Sequence, residues 1–288
     1  MSASASSPPA GEENKQEAAP VRHCKGVNDL DKVVLREVRG SSAEVYLYGG
    51  HVTSWKDEHG DELLFVSNKA IFKPPKAIRG GIPICFPQFS NFGNLEQHGF
   101  ARNRTWCVDN DPPPFPVPTS NTAYVDLILK PTEEDLKIWP HSFEYRLRVA
   151  LSPGGDLMLT SRIRNTNADG KSFSFTFAYH TYFKISDIRL LSLKQFKNEV
   201  HEVSYILRYS CLEPWDKKAK AMSDFGDDEY KRMVCVEAAA IEKPVTLKPG
   251  EEWTGKLDLS AVPSSYYSGQ LDPDRVIQDS TVPEDSIS

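Results

Sequence analysis

Hydrophobic and polar positions along this 288-residue chain alternate far more often than they recur at helical spacing. In "TAYVDLILK", residues 122–130, Ala123, Val125, Leu127 and Leu129 share one face. In "FEYRLRVAL", residues 143–151, Phe143, Tyr145, Leu147, Val149 and Leu151 share one face and the charges take the other. An extended chain sends successive side chains to opposite sides, so each segment predicts a half-buried strand. "LMLTSRIRN", 157–165, resumes the pattern after the turn sequence "SPGGD", so 143–165 predicts a hairpin. "VVLREV" (33–38) and "SAEVYLYGGHVTSW" (42–55) predict another pair, with Gly49 and Gly50 as a turn or bulge. Only 133–138 and 222–231 suggest short helical turns, and no internal repeat is visible. Many strands joined by glycine and proline turns predict an all-β fold, a sandwich or a barrel.

Two of the strands carry chemistry. In "SFSFTFAYHTYF", 172–183, Phe173, Phe175, Phe177 and Tyr179 face one way and suit the space between two sheets. Ser172, Ser174, Thr176, Ala178 and His180 face the other way, a small polar surface that suits a ligand. A surface or hydrogen-bonded structural role is the plainer alternative for His180. In 232–237, Val234 and Val236 share a face, while Met233, Cys235 and Glu237 share the other. Glu237 ends this apolar strand ahead of three alanines, with no cation near it in sequence. Burial would raise its pKa towards that of a useful base; a strand end in solvent would leave it inert.

Composition narrows the classes. The 39% hydrophobic and 26% charged fractions are ordinary for a globular protein, and the length can bury one large core or two small ones. A formal net charge of −6 speaks against a basic nucleic-acid surface. No apolar run approaches the roughly 20 residues of a membrane-spanning helix. The five cysteines (Cys24, Cys85, Cys107, Cys211, Cys235) are odd in number, scattered and without CxxC spacing, which points to reduced thiols in an intracellular setting. Cys85 and Cys235 lie in apolar runs and read as buried fillers. There is no G-x-S-x-G elbow, P-loop, dinucleotide fingerprint or H-E-x-x-H, and the seven histidines lack metal-ligand spacing. What remains is acid/base work by a histidine and a glutamate.

The densest stretch is "RGGIPICFPQFSNFGNLEQHGFARNRTW", residues 79–106. It sets Arg79, Gln97, His98 and Arg102 among glycines and prolines. Guanidinium forks suit phosphate oxygens, glycines allow close backbone approach, and Pro83 and Pro87 stiffen the frame. Arg104 reads equally as a solvated charge at a strand start.

That stretch, with "FAYHTYF", "PWDKKAKAMSDFGDDEYKRMVCVE" and "LKPGEEW" in the same order, resembles the aldose 1-epimerase superfamily, and within it the glucose-6-phosphate 1-epimerases or hexose-6-phosphate mutarotases. The wording "MSDFGDDEYKRM" is nearest to plant members. The resemblance covers about 28–188 and 214–266. It implies a galactose mutarotase-like antiparallel β-sandwich that interconverts the α and β anomers of glucose 6-phosphate without metal or organic cofactor. By motif, His180 is the acid that protonates the ring oxygen and Glu237 the base that takes the anomeric proton. Arg79 and Arg102 surround the substrate and its phosphate, Gln97 contacts the sugar, and His98 stands where related mutarotases use a histidine. The alternatives are a non-catalytic phosphosugar-binding protein and a mutarotase for neutral aldoses. A cytosolic monomer is expected, with a hexose 6-phosphate as its partner and neither nucleic acid nor membrane.

Residues 189–213, "RLLSLKQFKNEVHEVSYILRYSCLE", depart from the family, whose members carry a longer stretch with a sugar-contacting aspartate there. Missing strands would leave sheet edges unpaired and core unfilled. The domain is expected over 28–266. Residues 1–27, rich in Ser, Ala, Pro and Glu and without a secretory h-region, read as a disordered tail, and 267–288 as a flexible one.

Overall fold

The computed structural model describes residues 19–114, 121–186, 208–209 and 215–261. In chain order its strands are β1 (Val21–Lys25), β2 (Asp31–Arg36), β3 (Ser42–Tyr46), β4 (His51–Lys56), β5 (Ile84–Cys85), β6 (Cys107–Val108) and β7 (Ala123–Leu129). There follow β8 (Phe143–Leu151), β9 (Leu157–Asn165), β10 (Phe173–Lys184), β11 (Arg208–Tyr209), β12 (Met233–Leu247) and β13 (Glu252–Leu259). Two short helices, α1 (Glu133–Ile138) and α2 (Trp215–Ala221), interrupt them. The sheets are ordered β1-β2-β3-β4, β11-β12-β10-β5 and β13-β9-β8-β7-β6, antiparallel throughout. Single bridges from Val52 to Ile82, Val66 to Gly80 and Leu64 to Phe183 tie the first sheet and its following loop to the second.

The alternation read from the sequence decides which faces meet. Every apolar residue predicted on one face of β7 and β8 is in the core, as are Phe173, Phe175, Phe177 and Tyr179 of β10. The aromatic face of β10 packs on the five-stranded sheet: the rings of Phe177 and Trp253 lie 4.9 Å apart and those of Phe175 and Trp253 5.6 Å. This is an antiparallel β-sandwich, its interior filled by edge-on aromatic pairs. The hairpin over 143–165 forms, with Leu151 opposite Leu157 across Gly154 and Gly155, both at positive φ.

The structure differs from the sequence reading in four places. The first strand starts at Val21, ahead of the boundary set at 28, because an edge strand held to β2 by backbone pairing needs no apolar alternation. β12 runs on through Glu237 to Leu247, so that glutamate is an inner position rather than a strand end. The helical turns expected over 222–231 resolve into α2 upstream and a 3-10 turn at Glu229–Arg232. Arg104 is not simply solvated; it grips Asp135, at 2.6 Å from Nη2, beside the Thr132 capping box of α1. Residues 1–18 of the first tail, the whole of the tail expected over 267–288, and 189–207 and 210–213 of the departing segment lie outside the described residues.

Candidate active site

The site is built on the face of β10 and β12 turned away from the aromatic core. His180 pairs in register with Glu237, Ala178 with Ala239 and Tyr182 with Cys235, so these six side chains share one surface. Two small apolar clusters flank it. Cys85, Phe89, Ala178 and Ala239 close one side, while Phe65, Tyr182, Phe225 and Cys235 close the other. Both cysteines expected as buried fillers are therefore packed, and burial pushes the Cys85 thiol up to about 12.

His180 and Glu237 touch directly, Nε2 to Oε1 at 3.1 Å, and both are nearly inaccessible. A nitrogen this close to a carboxylate oxygen favours the tautomer with the proton on Nε2. Nδ1 is buried without a partner among the described residues. Burial first, then the positive charges of Arg102, Arg79 and Lys218, push the imidazole pKa down to about 3, so His180 is neutral in the free protein.

The stretch from Arg79 reaches this face by backbone bonding. The Tyr182 N–H donates to the Gly81 carbonyl at 2.8 Å, and the His180 N–H to that of Pro83 at 3.1 Å. Only glycine fits the "RGG" turn. Gly80 and Gly81 have φ of +109° and +65°, and a Cβ on either would run into the carbonyl of Phe65 or of Val52. Beneath the turn, buried His51 donates from Nε2 to the Gly80 carbonyl at 2.7 Å. Farther along, buried Gln88 staples the loop by accepting from Leu95 N–H and donating to the Ser90 carbonyl, each at 3.0 Å. The stapled loop presents His98, itself at a φ of +69°, edge-on to His180 at 5.5 Å between ring centres. His98 Nδ1 accepts from Ser90 N–H at 3.1 Å, with the Cys85 sulfur 3.2 Å away, which leaves its proton on Nε2.

The two arginines differ. Arg79 is engaged: Nε and Nη2 contact Oδ2 of Asp224 at 3.2 and 3.1 Å, and its guanidinium also bonds the Tyr182 hydroxyl. Arg102 donates from Nη2 to the Gln97 carbonyl at 2.7 Å, but its Nε is buried without a partner among the described residues. Gln97, expected to contact a sugar, is exposed, and its backbone carbonyl accepts from Arg102.

Thus the fold brings His180, Glu237, His98, Arg79 and Arg102 together. Three participants went unread in the sequence. Tyr182 stacks on His180, ring centres 4.8 Å apart and planes 20° apart, and its place two residues on along the same alternation could have flagged it. Asp224, 145 residues from Arg79, gave no local signal. Lys218 of α2 is exposed, yet its charge bears on both His180 and His98. Among the described residues no group of three His, Cys, Asp or Glu stands close enough to hold a metal ion. A neutral imidazole bonded to a carboxylate, with guanidinium groups alongside, is equipped to shuttle protons on a small anionic substrate.

Comparison with known proteins agrees with this chemistry. The sequence profile of the aldose 1-epimerase family matches residues 31–211 and 208–260. A protein of Cenchrus ciliaris that carries the provisional name glucose-6-phosphate 1-epimerase is 59% identical over 300 positions, covering 88% of this chain and 91% of the relative. Because 88% of 288 residues is about 253, roughly 47 positions of that relative lie opposite gaps in this chain. The two parts of the family match overlap at 208–211, inside the segment that departs. An Escherichia coli protein with the same provisional name is 31% identical over 62% of this chain and 56% of its own length. The crystal structure of a provisionally named mutarotase from Salmonella typhimurium shares the fold, with a TM-score of 0.63, 23% identity and coverage of 84% and 94% of the two chains.

Proposed function

The chain belongs to the aldose 1-epimerase family, and on that premise we propose that it interconverts the α and β anomers of D-glucose 6-phosphate and related hexose 6-phosphates. The observation that carries this reading is the direct contact between His180 and Glu237, with Arg79 and Arg102 beside it. Glu237 is the base. It takes the proton of the anomeric hydroxyl, whose O–H electrons become the second bond of the C1 carbonyl. The C1–O5 bond then breaks, and its electron pair on O5 receives a proton from His180 Nε2. Rotation about C1–C2 and the reverse transfers close the ring on the other face. No atom is gained or lost, and each well-placed transfer supplies roughly 10²–10⁴-fold.

Arg102, whose Nε lacks an acceptor among the described residues, and Arg79, fixed by Asp224 and Tyr182, receive the phosphate oxygens. His98 offers its Nε2–H to a sugar hydroxyl, and Gln97 lies at the rim as a sugar contact. Arg102 favours a charged over a neutral sugar, because its buried Nε has no acceptor among the described residues and such a donor is costly unless an anion meets it. The reading includes a cytosolic monomer that uses neither metal nor organic cofactor and binds neither nucleic acid nor membrane. It is supported by the net charge of −6 and by the free thiols of Cys24, Cys85, Cys107 and Cys235.

NMR exchange between the anomers of glucose 6-phosphate tests the proposal. Exchange above the spontaneous rate, faster than for glucose and lost in His180→Ala, is the expected outcome. Saturable binding with no excess exchange would overturn it.

A further inference from the structure

Ring opening requires His180 to give a proton to O5, yet burial and nearby cations keep His180 neutral in the free site. Its Nε2 stands 3.1 Å from a Glu237 carboxylate oxygen, and a neutral imidazole is a poor acid at neutral pH. Burial is the larger cause, and the groups around it add to it. Glu237 faces it from β12, Tyr182 from its own strand, and His98 from the stapled loop above Cys85. Arg79, Arg102 and Lys218 act on it from the RGG turn, the 3-10 turn at Ala101–Asn103 and α2. Tyr182 joins the two sets, since its ring lies on the imidazole and its hydroxyl bonds Arg79. His180 and Tyr182 are both buried, so charge placed at the arginines is weakly screened at the histidine.

We infer that a dianion seated against Arg79, Arg102 and Lys218 switches the acid on: it cancels the cationic field at the far end of the Arg79–Tyr182–His180 contact, and His180 takes up a solvent proton that it does not hold in the free site. Two unsatisfied atoms stand where this requires them. Arg102 Nε is a buried donor without an acceptor, and His180 Nδ1 is a buried lone pair without a donor among the described residues. The solvent proton goes to Nδ1, the Nε2 proton passes to O5 as the C1–O5 bond breaks, and re-closure restores both. The inference rests on the proposed function and deepens it, because the phosphate becomes part of the proton-transfer device as well as a handle. A neutral sugar would leave the acid off.

Calorimetric titration of the full chain with sulfate near pH 6, repeated in buffers of different ionisation enthalpy, counts protons taken up on anion binding. Wild type is expected to take up a substantial fraction of one proton and the His180→Gln variant none; no uptake in wild type, or equal uptake in both, overturns the inference. The kinetic arm follows glucose anomerisation with phosphite added as a separate dianion, and an acceleration of about tenfold or more is expected. If glucose 6-phosphate exchange is fast while phosphite leaves glucose unmoved, the inference fails and the proposed function stands. If glucose 6-phosphate exchange is itself not accelerated, the proposed function fails and this inference with it.

Discussion

His180 on β10 and Glu237 on β12 are direct partners in the sheet register and touch at 3.1 Å. The sheet backbone sets their spacing, since opposed side chains on one face of an antiparallel pair start only about 5 Å apart. The free protein therefore holds acid and base in contact, and the substrate must enter by replacing that contact with bonds to O1 and O5. His180→Gln and Glu237→Gln each keep a polar amide in place, so both variants should fold. Each is expected to slow anomer exchange by about 10²–10⁴-fold. The double variant should be little worse than either single one, because groups that act as a unit lose their joint contribution once. Exchange rates at saturating glucose 6-phosphate measure this, and losses that multiply would show two independent groups.

Arg102 predicts a separation of stability from function. Its Nε is buried with no acceptor among the described residues, and burial lowers its pKa without neutralising it. Such a group costs folding energy that only a bound anion offsets. Arg102→Leu is expected to raise the KM for glucose 6-phosphate by about tenfold or more while leaving Tm unchanged or higher. A thermal melt beside steady-state kinetics checks both. A variant several degrees less stable would mean that the bond to the Gln97 carbonyl outweighs the orphaned donor.

The strands with one buried face were legible because their periodicity and their environment coincide. Phe173 to Tyr179 had to face a core, and His180 followed by parity onto the opposite face. What parity cannot supply is register. His180 meets Glu237 only because β10 and β12 slip past one another between Phe175 and Phe177, a bulge no local pattern announces. The extent of β12 was misread for a related reason. Ala238, Ala239 and Ala240 favour strands weakly, yet here their small side chains line both faces of a closely packed sheet. β1 was hidden because a half-exposed edge strand is held by its backbone. The Arg79–Asp224 pair depends on where a loop after α2 comes to rest, which is a product of the whole fold.

The glycines of the RGG turn separate two kinds of strain. Gly60 has a φ of +85° and open space for 4 Å around the position a Cβ would take, whereas Gly81 combines a φ of +65° with the Val52 carbonyl in the way. Gly60→Ala should cost about 1 kcal/mol, from backbone conformation alone. Gly81→Ala should cost at least about 2 kcal/mol and also depress activity, since the turn bonds to β10 and carries Arg79. Urea unfolding of both variants makes the comparison, and equal costs would show that the collision is relieved without loss.

Two buried histidines and a half-buried one set the response to acid. Burial pushes His51 down to about 4, and pushes His98 and His180 down to about 3. Unfolded, each titrates near 6.5. Between these values the unfolded chain binds more protons than the folded one, so their contribution is complete above about pH 6.5 and drains away as pH falls towards 4. Carboxylates act lower. Against the cost of burial, Arg104 and Thr132 hold Asp135 below its usual range, and Ser67, Asn68 and Gly226 do the same for Glu229. Their contributions persist until pH drops below roughly 4 and leave the higher window to the histidines. Urea unfolding between pH 7.5 and 4.5 should therefore show stability falling with a slope of up to about three protons. His51→Gln, which can still donate to the Gly80 carbonyl, should remove one of them and recover on the order of 3 kcal/mol at the acid end. A slope unchanged by that substitution would mean that His51 binds the same number of protons folded and unfolded over this range.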